Sequence, residues 1–115
     1  MLLRQVGAIL QAKALTGEHL LDRLVVRADA TDLMSQVLAF SAPGTVLLTS
    51  LTNVQVVNTA DLANLVGVVF VRGLRPTLMV LNQAEEAAVP MLVTRHSMYE
   101  ACGLLYQEGL PGLSG

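Results

Sequence analysis

The chain has 115 residues, 53% of them hydrophobic and 14% charged, with a net charge of −2. That length suits one domain with a real core. A single lysine, Lys13, with two Tyr, two Phe and no Trp excludes a cationic, base-stacking nucleic-acid binder. Mean hydropathy is high at +0.57, yet no run reaches the roughly 18 apolar residues that a membrane span needs. The apolar surplus therefore points to a subunit interface and a homodimer.

Residues 2–11 set Leu2, Leu3, Val6, Ile9 and Leu10 at helical spacing and predict an opening helix. Residues 12–16 read as a short edge strand that Gly17-Glu18 ends. Residues 20–23 form a turn before a second extended piece over 24–30. Asp29 or Thr31 is placed to cap a short helix through Leu33, Met34, Val37 and Leu38. Ala42-Pro43-Gly44 then breaks the chain.

From Thr45 the pattern is regular. A strand over 45–49 precedes a helix opened by Thr52 or Asn53, with Val54, Val57, Leu62 and Leu65 on its inner side. Residues 65–71, Leu-Val-Gly-Val-Val-Phe-Val, are continuously apolar and β-branched. They read as the middle strand of a parallel sheet, buried on both faces. A loop over 72–77 follows, and Pro76 suits the first turn of a helix over 78–88 whose Glu85-Glu86 face water. Residues 91–94 are another strand, and Ser97 caps a last helix to about residue 108. Residues 1–109 make one domain, and 110–115, with one Pro and two Gly, make a flexible C-terminal tail.

Strand and helix alternate from Thr45 onward, which predicts an α/β class with a parallel-core sheet and flanking helices. The first 44 residues are expected to add an accessory α+β layer. Ligands of parallel sheets sit beyond the carboxyl ends of the strands. Those ends offer Thr49, Ser50, Thr52 and Asn53, then Arg72, Gly73 and Arg75, then Thr94, Arg95, His96 and Ser97. Helix N-termini add partial positive charge there. The composition is that of an anion site for a phosphate or nucleotide, with Thr49, Asn53, Arg72, Gly73, Arg75 and Thr94 as candidates. The same residues also serve as helix caps and as a solvated loop, and both readings stay open.

Catalytic templates are absent. There is no G-x-x-x-x-G-K-[ST] loop and no G-x-G-x-x-G fingerprint. His96 and Glu100 are four apart, but two ligands are too few for a metal site. Glu85 and Glu86 diverge on a helix, and Asp22, Asp29 and Asp32 lie in or beside turns. Cys102 is the only cysteine, so no internal disulfide forms, and a buried structural thiol is expected. The expectation is a non-enzymatic protein with no cofactor and no metal. Met-Leu-Leu-Arg-Gln leads into an amphipathic pattern rather than a signal-peptide core, so a cytoplasmic location is expected.

The run from Asp22-Arg23 through Asp32 and Ser35 to Ala39 resembles the opening of a DRTGG domain. The ordered series downstream agrees: Gly44-Thr45-Val46-Leu47-Leu48-Thr49, Gly67-Val68-Val69-Phe70-Val71-Arg72-Gly73, Pro76, Ala84-Glu85, Val89-Pro90-Met91-Leu92-Val93-Thr94 and Glu100-Ala101-Cys102-Gly103-Leu104-Leu105. The resemblance covers residues 2–107. Asp22-Arg23 are present, but Leu24-Val25-Val26-Arg27-Ala28 stand where the family's two glycines follow. The resemblance implies a fold like the N-terminal domains of HPr kinase/phosphorylase and of Mur ligases, and like the DRTGG insert of CBS-type regulatory pyrophosphatases. It further implies a stand-alone regulatory or assembly module that forms a homodimer, engages a protein partner and has no settled catalytic residues. The alternative is a sensor of a nucleotide or phosphorylated metabolite. Residues 22–35 would lie near the dimer interface.

Overall fold

Ten helices and strands are arranged around one five-stranded sheet in the computed structural model, which describes residues 1–114. The helices are α1 (Leu3–Leu10), α2 (Met34–Phe40), α3 (Val54–Leu62), α4 (Leu78–Glu86) and α5 (Met98–Gln107). The strands are β1 (Lys13–Thr16), β2 (Arg27–Ala30), β3 (Thr45–Thr49), β4 (Gly67–Phe70) and β5 (Met91–Val93). A short 3₁₀ turn covers Glu18–Leu20. The sheet order is β1-β5-β4-β3-β2. β2 through β5 are parallel, and β1 is antiparallel to β5. β4 is the middle strand, as its apolar run requires.

Alternate residues of each buried strand feed two cores. Leu47, Val68, Phe70, Met91 and Val93 pack with α2, α3 and α4 through Met34, Val37, Val56, Val57, Ala60, Val80 and Ala84. Val46, Leu48, Val69 and Leu92 pack with α1 and α5 through Leu3, Val6, Leu10, Ala101 and Leu105. The period-2 alternation of a pleated strand produces this division, and every apolar position of β3, β4 and β5 finds a covered face.

Five expectations need correction. The first 44 residues are not an accessory layer: β2 joins one edge of the sheet and β1 the other. Parallel pairing of β2 with β3 makes the strand–helix alternation start earlier than Thr45. On α3 the buried residues are Val56, Val57, Thr59 and Ala60, while Val54 and Leu62 are exposed. That helix is apolar on more than one side, so periodicity allowed two inner faces and the packing against the sheet chose one. Neither Asp29 nor Thr31 caps α2, since the N-cap is Leu33 and has no side-chain bond. Instead Thr31 Oγ1 accepts from the Leu33 N–H at 3.0 Å, and Asp29 accepts from the Ala30 N–H at 2.9 Å. Pro76 lies before the helix, because Thr77 is the N-cap of α4. Leu110, assigned by sequence to the tail, is buried, and the Pro111 carbonyl accepts from the edge-strand Ala28 N–H at 2.9 Å. Asn53 and Ser97 do cap α3 and α5, the latter in a reciprocal box with Glu100.

Candidate functional site

The chain leaves β4 toward α4 on one face of the sheet and leaves β5 toward α5 on the other. Where neighbouring exits diverge, the carboxyl ends of the two strands cannot be covered by either connection, and a crevice opens. Here it lies between the 71–77 and 94–97 segments. Antiparallel β1 contributes its starting residues to the same edge, because Lys13 is opposite Val93.

The β4 exit is a tight turn. The Leu74 N–H donates to the Val71 carbonyl at 3.1 Å, and Arg72 and Gly73 between them have φ of 57° and 69°. Two central residues with positive φ match a type I′ turn. The turn is tied to the β5 exit by the Arg72 N–H donating to the His96 carbonyl at 2.9 Å and the Gly73 N–H donating to the Thr94 carbonyl at 2.8 Å. Thr94 is buried beneath them. Its hydroxyl donates to the Leu10 carbonyl at 2.7 Å and accepts from the His96 N–H at 3.3 Å, which fixes α1 against the end of β5.

Above this floor is a cleft of roughly 590 Å³ lined by Gln11, Lys13, Arg72, Gly73, Arg75, Val93, Thr94 and Arg95. Four of the seven basic residues of the chain meet there. All four are exposed. The one ion pair among the described residues is Arg4–Asp22, at 3.1 Å, so none of the four is paired. Glu100 lines a neighbouring hollow with Leu10 and His96, which shares Gln11 and Arg95 with the cleft. Its carboxyl accepts from the Ser97 N–H and hydroxyl at 3.2 and 3.0 Å. The Ser97 N–H holds it below the usual glutamate range, followed by the Ser97 hydroxyl and, more weakly, the His96 and Arg72 charges.

Of the six candidate ligand residues, the fold brings Arg72, Gly73, Arg75 and Thr94 together. Thr49 and Asn53 go elsewhere. The Thr49 side chain is fully buried and donates to Asp32 Oδ1 at 2.7 Å. Asp32 also accepts from the Ser50 N–H at 2.7 Å and from the Ser50 hydroxyl. These bonds, the Ser50 hydroxyl first, hold the Asp32 carboxyl below the usual aspartate range. Asn53 Oδ1 accepts from the Gln55 N–H at 3.0 Å as a helix cap. The family-motif residues do not form one site either. Asp22 and Arg23 precede β2, whereas Asp32 and Ser35 follow it at the other end. Lys13 and Gln11 escaped sequence reasoning, because nothing local says that β1 runs antiparallel beside β5. Half-buried Cys102 has its thiol pushed up by burial, then by the Asp29 charge.

The fold is similar to that of a solved chain from Clostridium perfringens. That chain is the crystal structure of the CBS and DRTGG domains of the regulatory region of a pyrophosphatase, complexed with an activator, diadenosine tetraphosphate. The TM-score is 0.72 over 95% of this chain and 47% of that one, at 15% identity. The fold is DRTGG-like. At that identity the likeness is one of architecture, and this chain spans about half the length of the solved one. No protein-family model and no curated protein matches the sequence. Among the described residues, no helix is long and apolar enough to cross a membrane.

Proposed function

We propose that the chain is a regulatory module whose state is set by a phosphorylated small molecule held in the β4–β5 cleft. The observation that carries this reading is the convergence of Lys13, Arg72, Arg75 and Arg95 on one cleft with no carboxylate paired to any of them. Like charges gathered in a concave site repel one another and raise the local potential, so an anion that enters relieves a cost already present. The DRTGG-like architecture supports the regulatory half, because the neighbour comes from a regulatory region whose complex holds a phosphate-rich activator. The module is cytoplasmic and non-enzymatic in this reading, without cofactor or metal.

The test is a thermal-shift series with pyrophosphate and nucleotides, joined to native mass spectrometry of freshly purified protein. A ligand at about 100 times its Kd stabilises by about 2.7 kcal/mol. No stabilisation by any phosphate compound at millimolar concentration sinks the sensor.

A second observation supports self-association. Leu24, Val26, Leu38, Phe40 and Leu62 are exposed, with Phe40 at 68% and Leu62 at 76%. By topology all five lie toward the amino ends of the parallel strands, opposite the cleft. We propose that a second copy of the chain covers them, with residues 22–35 contributing Leu24 and Val26. The remaining surface of that dimer is open to a protein partner. A stable interface hides roughly 800 Å² on each side. Sedimentation should show a dimer that Phe40→Ser weakens. A strict monomer at high concentration removes the assembly role.

A further inference from the structure

We infer that the cleft counts phosphates: it takes a compact molecule carrying two or more phosphate groups and reads the rest of that molecule weakly. This rests on the anion-site reading above and names its ligand class.

The argument begins with which donors are free. Phosphate sites that recognise shape present several backbone N–H groups at fixed positions. Here the N–H groups of Arg72 and Gly73 are already donated to the His96 and Thr94 carbonyls. The Thr94 hydroxyl is donated to the Leu10 carbonyl. The N–H groups of the 72–73 turn and the Thr94 hydroxyl are therefore satisfied internally and are not free for an incoming oxygen. Among the side chains of the cleft, the remaining donors are the ends of long ones, namely Lys13, Arg72, Arg75 and Arg95, with the Gln11 amide. All five residues are exposed. Flexible donors on long stems respond to the amount of negative charge and adapt to its arrangement.

Two further features set the class. A single phosphate carries at most about two charges, which leaves a four-cation cleft half neutralised, while a pyrophosphate or triphosphate matches it. No aromatic residue lines the cleft, and the apolar contribution is Val93, itself only 7% exposed. A nucleobase would find no face to stack on, so it adds little affinity. Glu100, in the neighbouring hollow that shares Arg95 with the cleft, subtracts from the field.

The test is calorimetric titration of the full chain with orthophosphate, pyrophosphate and triphosphate, and with AMP, ADP and ATP, in metal-free buffer. Affinity should rise about tenfold with each added phosphate, with each nucleotide close to the inorganic anion of equal phosphate number. Raising the salt should weaken triphosphate most. Lys13→Gln and Arg75→Gln should each weaken triphosphate several-fold, and Glu100→Gln, which can still close the α5 capping box, should strengthen it. If a nucleotide binds more than about tenfold tighter than the matching inorganic anion, the base is read and the charge-counting inference falls while the anion site stands. Equal affinity for orthophosphate and triphosphate overturns it in the same way. If no phosphate compound binds at millimolar concentration, both readings fall together.

Discussion

Replacing Arg72 by glycine should make the fold more stable and the cleft weaker. Arg72 has φ of 57° and Gly73 has 69°. The left-handed region costs a residue with a Cβ about 1–2 kcal/mol. Glycine recovers that but gives back about 0.4–1 kcal/mol through the freedom of the unfolded chain. The Arg72 side chain is exposed and unpaired, so its removal takes little from the folded state. Taking one charge from a cluster of four also reduces repulsion. The net expectation is a gain of about 0.5–1 kcal/mol, which for a domain of this size raises Tm by roughly 2–5 °C. Arg72→Asn should fall between, because asparagine enters the left-handed region at lower cost. Urea denaturation followed by circular dichroism measures this directly, provided that the m-value is unchanged. Triphosphate titration of the same protein should show a several-fold loss. A glycine variant less stable than the parent by about 1 kcal/mol or more would refute the reasoning. It would mean that the guanidinium holds the turn in place and that no backbone strain is stored there.

Thr94→Val should destabilise the protein by about 1–3 kcal/mol, since it strands the buried Leu10 carbonyl and the His96 N–H; equal urea midpoints would show that the bond is dispensable. Gly44→Ala places a Cβ 2.7 Å from Val26 Cγ2 at φ +82°, so a loss above about 2 kcal/mol is expected, and a tolerated alanine would argue against this turn. Asp32 has a folded pKa below its ordinary 3.8. Its stabilisation is therefore full above that value and is lost as pH falls through the lowered pKa. Melting curves of the parent and Asp32→Asn should differ most near neutral pH and converge once the pH has fallen below the lowered pKa; curves that stay parallel throughout would remove the Asp32 network from the acid response.

Several parts of the site were legible because their signals are local. The apolar run over 65–71 could only be a strand covered on both faces, and the structure has β4 in the middle of the sheet. Ser97 and Glu100 are three residues apart, the spacing of a capping box, and they form one. Arg72, Gly73, Arg75 and Thr94 follow directly on strands, so reading them as residues of a carboxyl edge needed only the β-α-β pattern. Thr49 and Asn53 satisfied the same rule and lie outside the cleft. The rule finds every strand end, but it does not say which two neighbouring exits diverge.

What the sequence determined by itself is therefore a set of short-range choices: the succession of strands and helices from Thr45, the caps of α3 and α5, and that the strands from β3 onward are parallel. These depend on period, propensity and side-chain bonds across a few residues. Tertiary structure alone decided which face of α3 points inward, that β1 and β2 close opposite edges of one sheet, and that Lys13 joins Arg72, Arg75 and Arg95. Those outcomes depend on contacts between residues distant in the chain. Lys13 and Arg95 are neighbours because β1 runs antiparallel to β5. That choice is made by the packing of α1 beside α5 over the sheet, and no local pattern encodes it.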